Sequence, residues 1–142
     1  MNFSELLSNL SIHYNAFIRQ VANSLSLTSS QAIHLISIPY NGTSMSKLAR
    51  GLGLDTSTLT RNINKLEKLE LVQKHADLND QRIQIITLTN DGQKKVNIIE
   101  EKLTEIDNNL ISQLNLEDQE ELLDILEKLV WSMDCLRENK AI

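Results

Sequence analysis

Six polar side chains between positions 56 and 68 have the types and the spacing needed to read a nucleic acid. At 100° per residue, Leu59, Ile63 and Leu66 fall on one side of a helix and predict its buried face. The opposite side offers hydroxyl, guanidinium, amide and ammonium groups, which can bond to base edges and phosphates. These groups belong to Ser57, Thr58, Arg61, Asn64, Lys65 and Lys68. An ordinary solvated helix face is the alternative interpretation.

A second candidate pair, Asp80 and Arg82, lies in a polar connection between two β-rich runs. Residues 72–75 and 83–88 predict the strands of a hairpin, which residues 76–82 connect. An arginine near the tip of such a hairpin can enter a narrow minor groove, where negative potential is concentrated. Asp80 can hold the guanidinium by a charge-assisted hydrogen bond and preorganise it. A loop salt bridge without function is the alternative.

Cap residues predict the elements that position the polar helix. Ser44 can cap a short helix that Gly53 ends, and Asp55 can cap the polar helix that follows. A short supporting helix, a tight turn and a second helix with a polar face make a helix-turn-helix. With the hairpin, residues 43–92 therefore predict a winged helix-turn-helix.

The flanking segments predict further helices. Apolar residues at steps of three and four predict one helix over residues 3–25, and the capping box of Thr28 and Gln31 predicts a second that runs to Ile38, before Pro39. Two more long helices follow, which begin at Thr89 or Asn90 and after Asn115.

The predicted fold class is mainly α with a small β-hairpin, in a single domain of residues 1–142. Residues 1–42 and 90–142 form its helical part. The last two helices have apolar steps close to heptad spacing, so we expect the long terminal helices to mediate dimerisation.

Charge is distributed unevenly along the chain, whose formal net charge is −5. Residues 1–42 are neutral overall. Residues 43–95 carry nine Lys and Arg against six Asp and Glu, whereas residues 96–142 carry four against twelve. This asymmetry favours a protein in which one face binds a polyanion and another is kept away from it. Acidic helices that only aid solubility are the alternative.

Several classes of protein are disfavoured by the sequence. It contains no apolar run of the ~18 residues that a membrane span needs, and its first residues do not resemble a secretory signal. With a single cysteine, these features predict a cytoplasmic protein. The sequence shows no glycine-rich phosphate-binding loop, no nucleophile motif and no paired metal ligands. We therefore expect no enzyme activity, no cofactor and no metal.

Four runs resemble the MarR family of bacterial and archaeal regulators. They cover residues 44–61, 66–72, 80–82 and 88–92, and the Asp-x-Arg wing followed by Leu-Thr-x-x-Gly is the most specific part. The resemblance implies a homodimer bound to double-stranded DNA at a pseudo-palindromic operator, often blocking transcription until an effector binds.

Carried over by position, the resemblance implies recognition-helix contacts from Ser57, Thr58, Arg61 and Lys65, and a wing contact from Arg82 that Asp80 orients. The full predicted DNA-contacting set is Ser44, Ser57, Thr58, Arg61, Asn64, Lys65, Lys68, Asp80 and Arg82.

Two features depart from the family pattern. Glu70 stands where the family usually has glycine, which puts the turn after the recognition helix in doubt because glycine adopts the left-handed conformation most easily. The wing also carries Asn79 and Gln81 where basic residues are usual, so weaker non-specific DNA binding is expected.

The resemblance also implies an effector pocket between the dimerisation helices and the head. Its candidate lining is Tyr14, Phe17, His34, Tyr40 and Met45, and the expected ligand is a small aromatic or phenolic molecule. All five residues could instead belong to the core or to an interface.

Alternatives to a ligand-released repressor remain open. A redox-responsive regulator that uses Cys135, a MarR-like activator and a winged-helix module that binds only proteins all fit the same pattern.

Overall fold

The computed structural model describes residues 1–139 and contains six helices and three short strands in that range. In chain order they are α1 (Phe3–Ser24), α2 (Ser29–Ile36), β1 (Thr43–Ser44), α3 (Met45–Leu52), α4 (Thr56–Lys68), β2 (Val72–Ala76), β3 (Gln84–Leu88), α5 (Asn90–Ile111) and α6 (Leu116–Glu138). This architecture confirms the predicted fold class, a mainly helical protein with a small hairpin.

The three strands form one antiparallel sheet with β3 in the middle, in the order β1-β3-β2. Val72 pairs with Leu88 and Ala76 with Gln84, so the predicted hairpin of β2 and β3 is present. The sequence did not predict β1, because two residues are too few to show an alternating pattern. Residue 83, predicted to begin β3, lies in the connection instead, where its N–H donates to the Asp80 carbonyl at 3.0 Å.

The described residues form two compact units, Met1–Thr104 and a second that begins at Glu105. In the first unit, apolar side chains from α1 to α5 and from the sheet make a buried core. Its fully buried large side chains are Leu35, Leu59, Ile63, Leu66, Val72, Ile86 and Ile99. The second unit contains α6, which buries none of its residues and leaves most of its apolar side chains exposed.

Helix starts follow the predicted caps. The side chains of Thr28, Ser44, Asp55 and Asn115 each accept a hydrogen bond from a backbone N–H in the first turn of the helix that follows. Thr89 serves α5 in the same way, since its Oγ1 accepts from the N–H of Gly92 at 3.0 Å.

The end of α2 is the main error in the predicted helices. The helix stops at Ile36, two residues before the predicted end at Ile38. Pro39 disfavours the helical conformation at Ile38, which precedes it. Ile38 is nevertheless buried, and its N–H bonds to the Leu35 carbonyl in a last turn.

The end of α4 resolves the doubt raised by Glu70. Glu70 adopts the left-handed conformation, with φ +61°. Its N–H donates to the Glu67 carbonyl at 2.9 Å, and the N–H of Leu71 donates to the Leu66 carbonyl at 3.1 Å. This is the paired bonding that a glycine supports at a helix end. The turn therefore keeps its geometry, with a non-glycine residue in a costly conformation.

Glu70→Gly should raise the free energy of unfolding by ~0.5–1 kcal/mol. The left-handed conformation costs an L-residue ~1–2 kcal/mol, and the flexibility of glycine in the unfolded chain offsets part of that gain. Chemical denaturation followed by circular dichroism measures the change. Glu101→Gly, at an exposed right-handed position in α5, is the control and should destabilise by ~1 kcal/mol. Destabilisation by both variants would contradict the prediction.

The carbonyl of Leu71 anchors the start of α5 to the end of α4. It accepts from the N–H of Thr89 at 3.1 Å, while Thr89 Oγ1 donates to the Glu70 carbonyl at 2.7 Å. Gly92 packs against the same carbonyl so closely that a Cβ added there would lie 1.9 Å from the Leu71 oxygen. The Leu-Thr-x-x-Gly run is thus the contact that joins the wing and α5 to the recognition helix.

Gly92→Ala should lower the free energy of unfolding by ~1–3 kcal/mol, because the new methyl group meets backbone that must move. The control is Gly51→Ala in α3, where an added Cβ meets no atom within 4 Å and should stabilise the helix by ~0.5–1 kcal/mol. Thermal or urea unfolding of the two variants beside the wild type measures both values. A neutral Gly92→Ala would show that this contact is not tight.

Candidate nucleic-acid interface

Helix α4 is held with one face in the core and the other in solvent. Leu59, Ile63 and Leu66 are completely buried. Helix α3 packs against α4, and its Leu48 and Ala49 are buried as well. The predicted polar residues lie on the remaining surface. Ser57, Arg61, Lys65 and Lys68 are exposed, and Thr58 and Asn64 are half-buried.

The first turn of α4 is organised by Asp55. Its carboxylate accepts from the hydroxyl of Ser57 at 2.7 Å and from the backbone N–H of Thr58 at 2.7 Å. These bonds, with a smaller attraction from Arg61, lower the pKa of Asp55 to about 2. Because the Ser57 hydroxyl donates to Asp55, its oxygen remains available as an acceptor at the exposed end of the helix.

Arg61 extends beside this turn, where its Nη2 lies 3.4 Å from Thr58 Oγ1. That contact is long for a hydrogen bond, so it steers the guanidinium without occupying its remaining donors. Lys65 follows one turn later on the same exposed side. Arg61 can therefore bond bidentately to an acceptor pair such as that of guanine.

Asn64 has a partner that the sequence did not predict. Its Oδ1 accepts from Lys74 Nζ of β2 at 2.5 Å, and the same ammonium group lies 3.5 Å from Glu67 Oε1. Lys74 thus ties the recognition helix to the first wing strand. One of the two lone pairs of the Asn64 carbonyl oxygen is thus used within the protein, and its amide N–H groups have no such partner among residues 1–139.

The wing loop is closed by Asp77 and presents Arg82. The Asp77 carboxylate accepts from the N–H groups of Asn79 and Asp80, both at 3.1 Å. Asp80 in turn binds Nε and Nη2 of Arg82 with one carboxylate oxygen each, both at 3.1 Å, and this pairing lowers the pKa of Asp80. The predicted pairing of Asp80 with Arg82 is confirmed. The arginine side chain is 91% exposed, so it is oriented without being covered.

Ser44, the remaining predicted DNA contact, caps α3. Its Oγ accepts from the N–H of Lys47 at 3.1 Å and lies 3.4 Å from Ser46 Oγ. Ser44 is also a residue of β1, the strand that pairs with β3. Ser44 therefore connects the sheet to the supporting helix, and its half-buried position leaves only part of it available to a partner.

The five predicted pocket residues occupy different environments. Met45 is buried in the core, Phe17 is half-buried, Tyr14 is partly exposed and Tyr40 is 89% exposed. His34 lines a cavity of about 150 Å³, which none of the other four lines. Cys135 is a free, half-buried thiol on α6.

Two further properties concern residues 1–139. Within that range, no three His, Cys, Asp or Glu side chains gather in a way that could hold a metal ion. None of the helices there combines the length and the apolar character that crossing a membrane requires.

Sequence reasoning missed two links to the recognition helix, from Lys74 and from His34. The basic charge of Lys74 in β2 was visible, but its partner was not. His34 lies on α2, and its Nε2 is 3.1 Å from Nδ2 of Asn62 on α4. Neither contact has a sequence signature, because both depend on how separate elements pack.

A helix-turn-helix with a basic outer face, followed by a hairpin that presents an arginine, defines a winged-helix DNA-binding protein. The sequence pattern of the transcriptional regulator family SarA/Rot matches residues 16–99, more than half of the chain. The chain belongs to this family. This is a family of transcriptional regulators and not of enzymes, which agrees with the class of protein that the sequence predicted.

Solved structures with the same fold include MepR from Staphylococcus aureus in complex with DNA. The two chains are 24% identical with a TM-score of 0.78, over 93% of this chain and 98% of MepR. A crystal structure of MarR is 20% identical with a TM-score of 0.84, over 98% of this chain and 95% of MarR. The resemblance to the MarR family that the sequence predicted is thus confirmed at the level of the fold, since this chain and MarR share a winged helix.

A curated relative, the uncharacterized HTH-type transcriptional regulator YdgJ of Bacillus subtilis, is 21% identical over 103 residues. These residues are 71% of this chain, and they span 63% of the length of YdgJ.

Asp55 should contribute stability that depends on pH. Its folded pKa of about 2 lies below the ordinary value of 3.8, so the contribution is complete above about pH 4 and is lost as the pH falls to about 2. Asp55→Asn keeps an oxygen that can cap the helix but cannot titrate. The difference in unfolding midpoint between wild type and variant should therefore shrink over this interval.

Urea unfolding at several pH values measures this difference, and a carbon-13 titration of the Asp55 carboxyl group reports its pKa directly. Glu101→Gln, which removes an exposed carboxyl group from α5, controls for the change in net charge. An Asp55 that titrates at its ordinary value would contradict the prediction.

Proposed function

We propose that this protein is a homodimeric repressor that reads a pseudo-palindromic operator. In this proposal α4 enters the major groove and the wing enters the neighbouring minor groove. The observation that carries the proposal is the Asp80–Arg82 pair: the most exposed cation of the wing is fixed in direction by two hydrogen bonds yet remains open to solvent. Fixing the guanidinium in advance reduces the entropy lost on binding.

The roles of the helix side chains follow from their free hydrogen-bonding groups. Arg61 is the candidate for reading a guanine, and the Ser57 hydroxyl can accept from a base edge or receive a water-mediated contact. Lys65 and Lys68 are suited to phosphates, which fix the register of the helix on the duplex. Asn64 contributes by holding Lys74, and so supports the wing.

The dimer is supported by apolar surface that the single chain leaves uncovered. The first half of α1 exposes Phe3 and Leu10, both 62% exposed, although they continue the stripe that is buried from Ile18 onward. In α6, Leu122, Leu126 and Leu136 are exposed at near-heptad spacing. Burial by a second copy would remove this surface from water. For the dimer to read successive major grooves, its two recognition helices would have to lie roughly 34–36 Å apart, one turn of DNA.

Repression is the simplest outcome of such binding, because a dimer seated across two major grooves blocks access of other proteins to the same DNA. Release by a small aromatic or phenolic ligand is the corresponding proposal for regulation. His34 is its best-placed candidate residue, since it borders a cavity beside α4.

Arg82→Ala should weaken binding to the operator by ~1–3 kcal/mol, with the largest loss on sites whose flanks are rich in A·T pairs. The operator is obtained by selecting bound fragments from the native genome, and affinity is measured by fluorescence anisotropy. Arg19→Ala is the matched control, because it removes the same charge from an exposed position on α1. Binding by the wild type should weaken steeply as salt concentration rises.

Equal losses for Arg82→Ala and Arg19→Ala would reject the role given to the wing. Affinity that does not respond to salt would favour a module that binds proteins instead of DNA. A reporter gene placed behind the selected operator separates repression from activation, since deletion of the regulator should raise its expression.

A further inference from the structure

Lys74, in the middle of β2, joins the wing to the recognition helix. Its Nζ lies 2.5 Å from Asn64 Oδ1 and 3.5 Å from Glu67 Oε1. Residues three positions apart on a helix lie on one face of it, so Lys74 spans about one turn of α4. Within residues 1–139, no other hydrogen bond or ion pair between side chains links α4 to either strand of the hairpin.

The position of Lys74 gives the hairpin a second attachment. The first lies at its base, where the Leu71 carbonyl accepts from the N–H of Thr89. Lys74 follows Leu71 by three residues, which is roughly 10 Å at the rise of a β-strand. An element that is held at one point can tilt about it, whereas two separated points fix its direction. Lys74 therefore sets the direction in which the wing loop projects, and Arg82 with it.

Apolar packing alone does not fix the hairpin at this point. Val72 lies on the same side of β2 as Lys74 and is buried, but Ala76, the next residue on that side, is exposed. An open depression of about 430 Å³ borders Lys74, and Glu67 and Val72 contribute to its lining. The polar contact of Lys74 thus supplies a restraint that the neighbouring side chains do not provide by packing.

Burial separates Lys74 from the other basic residues of the head. Its side chain is 20% exposed, whereas Lys65, Lys68 and Arg82 are exposed. Its ammonium group already has a carbonyl oxygen and a carboxylate as partners, and charge-assisted bonds of this kind are stronger than neutral ones. A DNA phosphate would have to compete with both. Lys74 is therefore better placed to hold α4 and the wing together than to bind DNA itself.

We propose that Lys74 is a positioning residue that fixes the direction of the wing relative to α4, so that Arg82 reaches the minor groove while α4 occupies the major groove. The inference rests on the proposed binding of DNA by α4 and the wing. With the Lys74 contact in place, α4 and the wing present one rigid surface. Without it, α4 can still bind, but the wing tilts and the advantage of an oriented Arg82 is lost.

A double-mutant cycle tests whether Lys74 acts through the wing. Lys74→Met keeps an unbranched apolar stem and removes the ammonium group. Its effect on operator affinity is measured by fluorescence anisotropy in the wild type and in the Arg82→Ala background. The loss should be about fivefold in the wild type, the size expected for one hydrogen bond, and small in the Arg82→Ala background. Equal losses in both backgrounds, as for a lysine that contacts DNA directly, would overturn the proposal.

The sequence of the operator flanks separates positioning from a general loss of structure. Lys74→Met should weaken binding most on sites with A·T-rich flanks, as Arg82→Ala does, because both act at the minor groove. A loss that is the same for every flank would overturn the proposal. Lys128→Met is the matched control, since it removes an ion-paired lysine, 2.6 Å from Asp124, from α6. It should leave operator affinity unchanged.

Asn64→Ala tests the same contact from the helix side if Lys74→Met does not fold. Alanine favours helix and Asn64 is only half-buried, so this variant should fold, which thermal unfolding checks. Its loss of affinity should shrink in the Arg82→Ala background. A loss of equal size in both backgrounds would overturn the proposal, because Asn64 would then act on DNA independently of the wing.

Nitrogen-15 relaxation of the backbone amides of residues 77–82 tests the contact without DNA. The order parameters of the wing loop should be lower in Lys74→Met, or in Asn64→Ala, than in the wild type and in Lys128→Met. Unchanged order parameters would overturn the proposal. Complete absence of DNA binding by the wild type, or an Arg82→Ala variant that binds as tightly as the wild type, would instead reject the proposed function.

Discussion

The carbonyl of Leu71 is the point on which the DNA-binding head depends. It ends the turn that follows the recognition helix, accepts from Thr89 at the end of β3, and leaves room for nothing larger than a hydrogen atom at Gly92. One backbone group thus fixes three elements: α4, the wing and α5. Since the proposed function requires the wing to reach one groove while α4 occupies another, their relative orientation cannot be left to flexible side chains.

The carboxylates of the head explain how an acidic protein can present a basic surface. Asp55 organises the start of α4, Glu67 lies beside Lys74, and Asp80 holds Arg82. Each is positioned to orient a donor, so these acidic groups direct the neighbouring cations and hydroxyls. Much of the remaining negative charge lies in residues 96–142, outside the helix-turn-helix and wing.

Local signals carried most of the fold prediction. The caps Thr28, Ser44 and Asp55 were identified because a cap and its helix are neighbours in sequence, and the Asp80–Arg82 pair because a single residue separates its members. Glu70 shows the limit of such signals. Its type argued against a left-handed turn, but the hydrogen bonds at the end of α4 and the burial of Leu71 impose that conformation.

The sequence by itself determined the helices, the hairpin, the polar face of α4 and the direction of the wing arginine. Only the tertiary structure decided the partners of Asn64 and Asn62, since Lys74 and His34 are 10 and 28 residues away. It also added β1 to the sheet and set the different degrees of burial of the five predicted pocket residues. The physical reason is separation along the chain: periodicity and caps report contacts within a few residues, whereas contacts between elements depend on packing in three dimensions.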